Sequence, residues 1–341
     1  MLINLHDSIS LASKLTPKRI SNAWKIWRSY QQSQKTGSAK IQGLPISMAI
    51  EPTTACNLRC PECPSGLRSF TRPTGKLDPD LFEKIMQDVS DHLLYLTFYF
   101  QGEPYLNPQF LDMVKIASDH KIYTTTSTNA HFLDDKNAKK TVEGGLNRLI
   151  ISIDGASQET YESYRKEGDL SKVLEGTKNI LKWRKRLKST SPKVVWQFLV
   201  VRPNEHEIPK IKRLAKEYGV DKVAFKTAQI YDYKNGSDLI PTIDKYSRYK
   251  SNGDGTYSIK NQLENKCWKM WQSCVITWDG QVIPCCFDKD ASHSMGNISK
   301  QSFKEVWHSR PYQNFRDALL TSRSEIEICK NCTEGLKVWA S

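Results

Sequence analysis

No run of apolar residues in this chain approaches the ~20 needed to cross a bilayer. The longest clear one, Leu93 to Phe100, stops far short, which excludes a transmembrane helix. A secretory leader finds no support, because His6, Asp7 and Ser8 interrupt the apolar start Leu2-Ile3-Asn4-Leu5 almost at once. The nine cysteines do not make an even set for a closed disulfide framework, and the seven histidines fall at no metal-ligand spacing. Internal repeats and low-complexity tracts are missing as well. The expectation is a cytoplasmic chain, and in that reducing compartment cysteines serve as metal or redox ligands more often than as disulfides.

What is present is ample. The 341 residues are 38% hydrophobic and 26% charged, enough for a real core in one large catalytic domain with a smaller appendage. Fifty Lys+Arg against 37 Asp+Glu give +13, which favours acidic partners: an acidic redox protein, an anionic substrate, a phosphate-rich surface or nucleic acid. No recognised nucleic-acid module accompanies that charge, and basic and aromatic residues interleave only at Trp24-Lys25-Ile26-Trp27-Arg28.

Residues 1–41 read as one or two basic amphipathic helices, with Leu5, Ile9, Ile20, Trp24 and Trp27 at helical spacing and Pro17 splitting the stretch. Packing on the catalytic domain is the plain expectation; Trp24 and Trp27 keep open a weak membrane-surface contact. From residue 46 strand and helix alternate: Ile46–Ile50, Tyr95–Phe100, Ile122–Thr126, Leu149–Ile153, Val194–Val201 and Val223–Lys226 are the strands, with helical patterns between them. That alternation, with buried-type runs such as Leu149-Ile150-Ile151, predicts an α/β fold in which a parallel sheet is covered by helices and functional residues sit on loops after the strand C-termini. A core domain over 42–230, an aperiodic polar connector over 231–265 and a cysteine-rich module over 266–341 complete the division; the last holds six of the nine cysteines.

Cys56-Asn57-Leu58-Arg59-Cys60-Pro61-Glu62-Cys63 sets three thiols within eight residues directly after the first strand. Three sulfurs suit an iron-sulfur cluster with one iron left without a protein ligand, whereas a structural zinc wants a fourth ligand nearby. Here the sequence resembles the radical S-adenosylmethionine (SAM) enzymes, whose signature is Cys-x3-Cys-x2-Cys in that loop of a partial (βα)6 barrel. The resemblance implies that Cys56, Cys60 and Cys63 hold a [4Fe-4S] cluster, that SAM chelates its open iron, and that one electron cleaves SAM to a 5′-deoxyadenosyl radical. Gln101-Gly102-Glu103-Pro104 resembles the family's Gly-Gly-Glu-Pro segment, with Gln for the first glycine. By the same resemblance Gly102, Glu103, Ser127, Asn129, Ser152 and Asp154, on successive strand ends, are SAM-binding candidates. Arg165 is a candidate partner for the carboxylate of methionine or SAM, a role suited to a guanidinium fork. Asn204, Lys226 and His131 are further positions near the expected cavity. Ordinary turn chemistry would use many of the same residue types.

The C-terminal block reads Cys267-x12-Gly280-x4-Cys285, Cys286, then Cys329-x2-Cys332. Asp279-Gly280 is a hairpin signal that would bring Cys267 and Cys285 together. The spacing resembles the start of the SPASM extension of radical SAM enzymes, and because no cysteine follows Cys332 the resemblance implies a shortened, twitch-like version. It would hold one auxiliary [4Fe-4S] cluster on Cys267, Cys285, Cys329 and Cys332. Cys286 is an alternative to Cys285, Cys274 reads as a core thiol, and a zinc ion on the same four sulfurs is the structural alternative.

The resemblance therefore implies a radical SAM oxidoreductase that abstracts a substrate hydrogen in a two-electron oxidation, on a small sugar-like or lipid-linked substrate or, alternatively, on a peptide. An acidic electron donor such as flavodoxin or ferredoxin is the expected partner, docking on the basic run Lys182 to Lys188. A non-catalytic iron-sulfur or zinc relay protein is the reading from another class.

Overall fold

The computed structural model describes residues 5–260 and 262–333; residues 1–4 and 334–341 of the expected first and last segments lie outside the described residues. Helices α1 (Leu5–Ala12) and α2 (Pro17–Thr36) open the chain. Six parallel strands follow: β1 (Ser47–Ile50), β2 (Tyr95–Thr97), β3 (Tyr123–Thr128), β4 (Arg148–Ser152), β5 (Lys193–Val200) and β6 (Lys222–Thr227), each paired with the next. Between them run α3 (Pro64–Leu67), α4 (Pro79–Val89), α5 (Phe110–Asp119), α6 (Asp135–Glu143), α7 (Gln158–Tyr164), α8 (Leu170–Arg186) and α9 (Ile208–Tyr218). The expected alternation is there, with ends shifted by a few residues.

Period-2 patterning builds the sheet. In β5, Val194, Trp196, Phe198 and Val200 are fully buried while Lys193, Val195, Gln197 and Leu199 are half-buried on the other face. Each β-to-α turn then leaves its polar residues at one end of the sheet, the C-terminal end common to such folds.

The C-terminal module joins that sheet. After a short hairpin, β7 (Tyr249–Ser251) and β8 (Tyr257–Ile259), come α10 (Lys269–Gln272), β9 (Ser273–Ile276), β10 (Gln281–Ile283), β11 (Gly296–Asn297), α11 (Phe303–Trp307) and α12 (Arg310–Ser322). β9 pairs in parallel with β1, Ser47 opposite Ser273 through Ile50 opposite Ile276, so the strand order is β11-β10-β9-β1-β2-β3-β4-β5-β6. The hairpin at Asp279-Gly280 forms, with Gly280 at φ +84° in its turn and Val282 opposite Ile276. Covering the free edge of β1 satisfies its backbone groups and removes an aggregation-prone edge. Cys274, in β9, is buried among apolar neighbours as a core thiol.

The N-terminal helices pack on this core. Ile26, Ser29 and Ser33 lie on the buried face of α2, and Tyr30 meets the rings of Trp268 and Trp271 edge-on, both at 5.3 Å. Arg19 is buried and donates to four main-chain oxygens, of Lys14, Ser90, His120 and Lys121. Two of these cap the C-termini of α4 and α5, where a cation also meets the negative ends of the helix dipoles. No helix among the described residues is long and apolar enough to cross a membrane.

Candidate active site

The loop between β1 and α4 carries Cys56, Cys60 and Cys63, and its shape follows from prolines, one glycine and one leucine. Cys63 is the N-cap of α3 with Pro64 at the first helical position, and Leu67 N–H donates to Cys63 O at 2.8 Å. Gly66 lets that turn lie on the loop, since a Cβ there would stand 2.6 Å from Cys60 N. Leu58 is fully buried in a second apolar cluster with Tyr164, Val201, Ile230, Ile240 and Tyr249. Ile240 and Tyr249 of that cluster, and Tyr233, Leu239, Tyr257 and Ile259 packed against it, come from the segment expected to be a connector. The segment folds over the cysteine loop: Tyr231 N–H donates to Glu62 at 2.9 Å, and Tyr249 OH and Asn331 Nδ2 both meet Ile230 O, tying in the turn between Cys329 and Cys332.

The three thiols line one small cavity, 110 Å³, with Ser65, Gly102, Glu103, Ser127, Asn129, Ser152 and Arg165. Residues scattered over more than a hundred positions thus meet at the C-terminal ends of β1 to β4. Cys56 and Ser65 also border a larger cleft of 480 Å³ walled by Thr53, Thr54, Arg68, Phe70 and Lys76.

Glu103 spends its carboxylate on the protein: it accepts from Asn129 N at 2.8 Å, Thr128 Oγ1 at 2.7 Å and Tyr105 N at 3.3 Å. Burial without a paired cation nevertheless pushes its carboxyl up to about 7, the hydrogen bonds only partly opposing. Asn129 Nδ2 donates to Asn57 inside the cysteine loop at 2.8 Å. Gly102, at φ +72°, donates its N–H to Ser65 Oγ, and buried Gln101 beside it has a side-chain oxygen with no partner among the described residues.

Asp154 does not line the cavity. It is fully buried, bonded to Arg165 Nε at 2.5 Å and accepting Leu199 N–H at 2.6 Å, while Asn204 Nδ2 donates to its main-chain oxygen at 2.9 Å. Arg165, so held, points Nη1 at Cys60 Sγ, 3.8 Å away. The expected ligand pair is therefore an ion pair with one member, Arg165, at the cavity wall. Asn204 is likewise spent on backbone groups, and Lys226 is exposed. His131 braces loops: its Nε2 accepts Asp169 N–H, so the proton sits on Nδ1, which donates to Asn129 O, and burial lowers its pKa.

The site suits an iron-sulfur cluster by the chemistry of its donors. Burial pushes the Cys56 thiol up to about 12 and raises Cys60, with Arg165 opposing, so these sulfurs favour the charged form only when iron supplies positive charge. No histidine lines the cavity to make a zinc set. In the C-terminal module Cys267, Cys329 and Cys332 gather around one guanidinium: Arg323 Nη2 lies 3.6 Å from Cys332 Sγ, and its charge also acts on the other two. Burial still pushes Cys329 up to about 11. A cation shared by three sulfurs fits an anionic thiolate set. Cys285 is hydrogen-bonded to its neighbour Cys286, which in turn accepts from Lys269 Nζ at 3.3 Å.

The Radical SAM superfamily model matches residues 50–215 and that of SPASM, an iron-sulfur cluster-binding domain, matches residues 267–333. This chain is a radical SAM enzyme with a C-terminal SPASM domain. The radical SAM domain brings a [4Fe-4S] cluster and SAM, and the SPASM domain auxiliary iron-sulfur binding. Over 317 residues the enzyme is 26% identical to the tungsten-containing aldehyde ferredoxin oxidoreductase cofactor-modifying protein of Pyrococcus furiosus, covering 83% of this chain and 86% of that one. It is 22% identical over 291 residues to the S-adenosyl-L-methionine-dependent 2-deoxy-scyllo-inosamine dehydrogenase of Niallia circulans, covering 83% and 90%. Its fold matches that of Streptococcus suis SuiB bound to precursor peptide SuiA, with a TM-score of 0.63 at 13% identity over 92% of this radical SAM enzyme and 75% of that chain.

Sequence reasoning missed one buried pair beside this site. Arg72 forks both carboxylate oxygens of Glu51, at 2.6 and 2.8 Å, and its main-chain N–H and that of Thr71 reach Asp290 in the SPASM domain. Neither Glu51 nor Arg72 belongs to a motif, and only an acid at a strand end followed by proline hinted at it.

Glu103 gives the first testable outcome. Its folded-state value lies above the ordinary 4.5, so the stability linked to it is present at low pH and is lost as pH rises through about 7. In SAM-free protein, wild type is expected to lose about 3 kcal/mol relative to Glu103→Gln between pH 4.5 and 8. Denaturant melts of the two across that range check it; a difference that does not move with pH refutes it.

Proposed function

We propose that this enzyme removes a hydrogen atom from a carbon of a small sugar-like or lipid-linked alcohol and completes a two-electron oxidation with the help of one auxiliary cluster. When bound, SAM and the clusters supply a 5′-deoxyadenosyl radical and a route out for the second electron. The observation that carries the reading is the single 110 Å³ cavity lined by the three thiols together with Gly102, Glu103, Ser127, Asn129, Ser152 and Arg165.

In this reading Cys56, Cys60 and Cys63 hold the first cluster, and Glu103 with the Gly102 main chain faces the amino group of SAM. Arg165, oriented by Asp154, meets its carboxylate, and Ser127, Asn129 and Ser152 complete the polar lining. Cys267, Cys285, Cys329 and Cys332 hold the auxiliary cluster, a four-sulfur set of the kind such clusters take. The similarity to a dehydrogenase supports the small-molecule substrate, and the 480 Å³ cleft bordering Cys56 falls in the range of small-molecule sites. An acidic flavodoxin or ferredoxin supplies the electron. Lys182 and Arg184 already pair with Asp135 and Asp221, which leaves Lys185, Arg186 and Lys188 of the basic run for docking. We place the enzyme in the cytoplasm, supported by an odd number of cysteines that makes no closed disulfide set and by seven of them read as cluster ligands.

The test is 5′-deoxyadenosine by chromatography after anaerobic reconstitution and reduction with SAM, for wild type and Cys60→Ala, with small-molecule and peptide fractions. Product from wild type alone, raised by small polyols or lipid-linked sugars, is the expected result. Stimulation by peptides instead replaces the substrate reading with peptide modification. No product from a loaded, reduced cluster overturns the assignment of the loop and favours electron relay.

A further inference from the structure

Helix α2 buries one face against the core and leaves an apolar stripe on the other. Its inner face carries Asn22, Ile26, Ser29 and Ser33, with the Asn22 side chain bonded to both backbone groups of Leu44. On the opposite side Ile20, Trp24 and Trp27 recur at i, i+4 and i+7, and they are 54%, 55% and 51% exposed. Leu15, in the turn just ahead, is exposed too. Two indoles and an isoleucine on a convex helix surface form no groove for a peptide, and solvent-facing tryptophans of this density are rare without a partner.

The charge around this stripe has one sign. Between Asp7 and Glu51 the sequence has no acidic residue, while Lys14, Lys18, Arg19, Lys25, Arg28, Lys35 and Lys40 fall in that interval. Arg19 is spent on carbonyls and Lys18 on Asp91. Lys25, Arg28 and Lys35 are exposed and make no ion pair among the described residues, and the Arg28 guanidinium lies 5.2 Å from the Trp24 ring, at the edge of the stripe.

We propose that the outer face of α2 docks on an anionic lipid bilayer, with Ile20, Trp24 and Trp27 entering the headgroup layer and Lys25, Arg28 and Lys35 above its phosphates. Tryptophan suits that boundary because its ring is apolar and its N–H can stay wet. Cations flanking an apolar stripe supply the attraction that such helices need, since burial of a few side chains alone binds weakly. The inner face, fixed to the core, holds the helix already folded, so docking costs no ordering of the chain. An acidic redox protein would use the cations but gains little from Ile20 and two indoles presented together.

The experiment is cosedimentation of the full-length enzyme with vesicles of 30% phosphatidylglycerol in phosphatidylcholine, against phosphatidylcholine alone, near physiological salt. Wild type is expected to bind the anionic vesicles. Trp24→Ala/Trp27→Ala and Lys25→Glu/Arg28→Glu are each expected to lower partition about tenfold or more while melting as wild type does, because these side chains touch solvent on this face. Failure of wild type to bind overturns the proposal. So does binding untouched by the tryptophan pair, which would reduce the effect to general charge. Loss of flavodoxin binding by either double variant, with vesicle binding unchanged, assigns the face to an acidic protein and overturns it as well.

Discussion

Asp154→Ala is expected to cost about 3–5 kcal/mol of unfolding free energy, a large share of what a domain has to spare. Asp154 is fully buried and its two oxygens serve two partners, Arg165 Nε and Leu199 N–H. Truncation leaves a mostly buried guanidinium without a counter-charge and a main-chain donor on β5 without an acceptor, two desolvation penalties at once. Arg165, released, would no longer face Cys60. A ligand-contact role for Asp154 predicts something else: weakened SAM affinity with stability untouched. Denaturant melts of SAM-free Asp154→Ala and Asp154→Asn, the latter keeping an acceptor for Leu199, separate the two. An alanine variant as stable as wild type would sink the ion-pair account.

Gly102→Ala is the second large effect. The residue sits at φ +72°, which L side chains rarely adopt, and a Cβ there would overlap the Thr53 carbonyl oxygen and stand 2.8 Å from that of Ala55. Both obstacles are backbone, in the segment that leads into Cys56, so neither can swing aside. The expected cost is about 2–4 kcal/mol, with the strain delivered to the cysteine loop and to the Gly102 hydrogen bond with Ser65. Iron and sulfide bound after reconstitution should fall together with stability. Gly219→Ala is the control: it too has positive φ, +74°, but meets nothing within 4 Å, so it should lose about 1 kcal/mol and load iron normally. Equal iron loading by the two variants would show that close approach at Gly102 does not shape the loop.

Much of the fold was legible because its signals are local. Strand-helix alternation marked β5, Asp-Gly marked the β9–β10 turn, and a buried-type run marked β4, each within a few residues of the observed ends. The three-thiol loop and the cysteine-rich module were legible for the same reason, since spacing along the chain survives folding. What each polar residue does at the site was not. Asp154, Asn204 and His131 follow strand ends as expected, yet each is spent on a neighbouring main chain or on Arg165, and that depends on which element lies 3 Å away.

The stretch 231–265 shows the same limit. Its pattern is aperiodic because it buries isolated residues, Ile240, Tyr246 and Tyr249, against Leu58 and the barrel instead of presenting a continuous face. No window of sequence reveals a partner that is almost two hundred positions away.

The sequence by itself determined the chemistry this protein can hold: three thiols in one loop, six more in the last seventy-five residues, and a strand-helix alternation that puts polar loops at one end of a parallel sheet. Those are matters of residue type and periodicity. Only the tertiary structure decided that the cysteine-rich module extends the main sheet through β9, that Asp154 holds Arg165, and that α2 keeps one apolar face for solvent. Each of these turns on which surfaces meet, and burial of one face against another is a property of the folded chain, not of any segment of it.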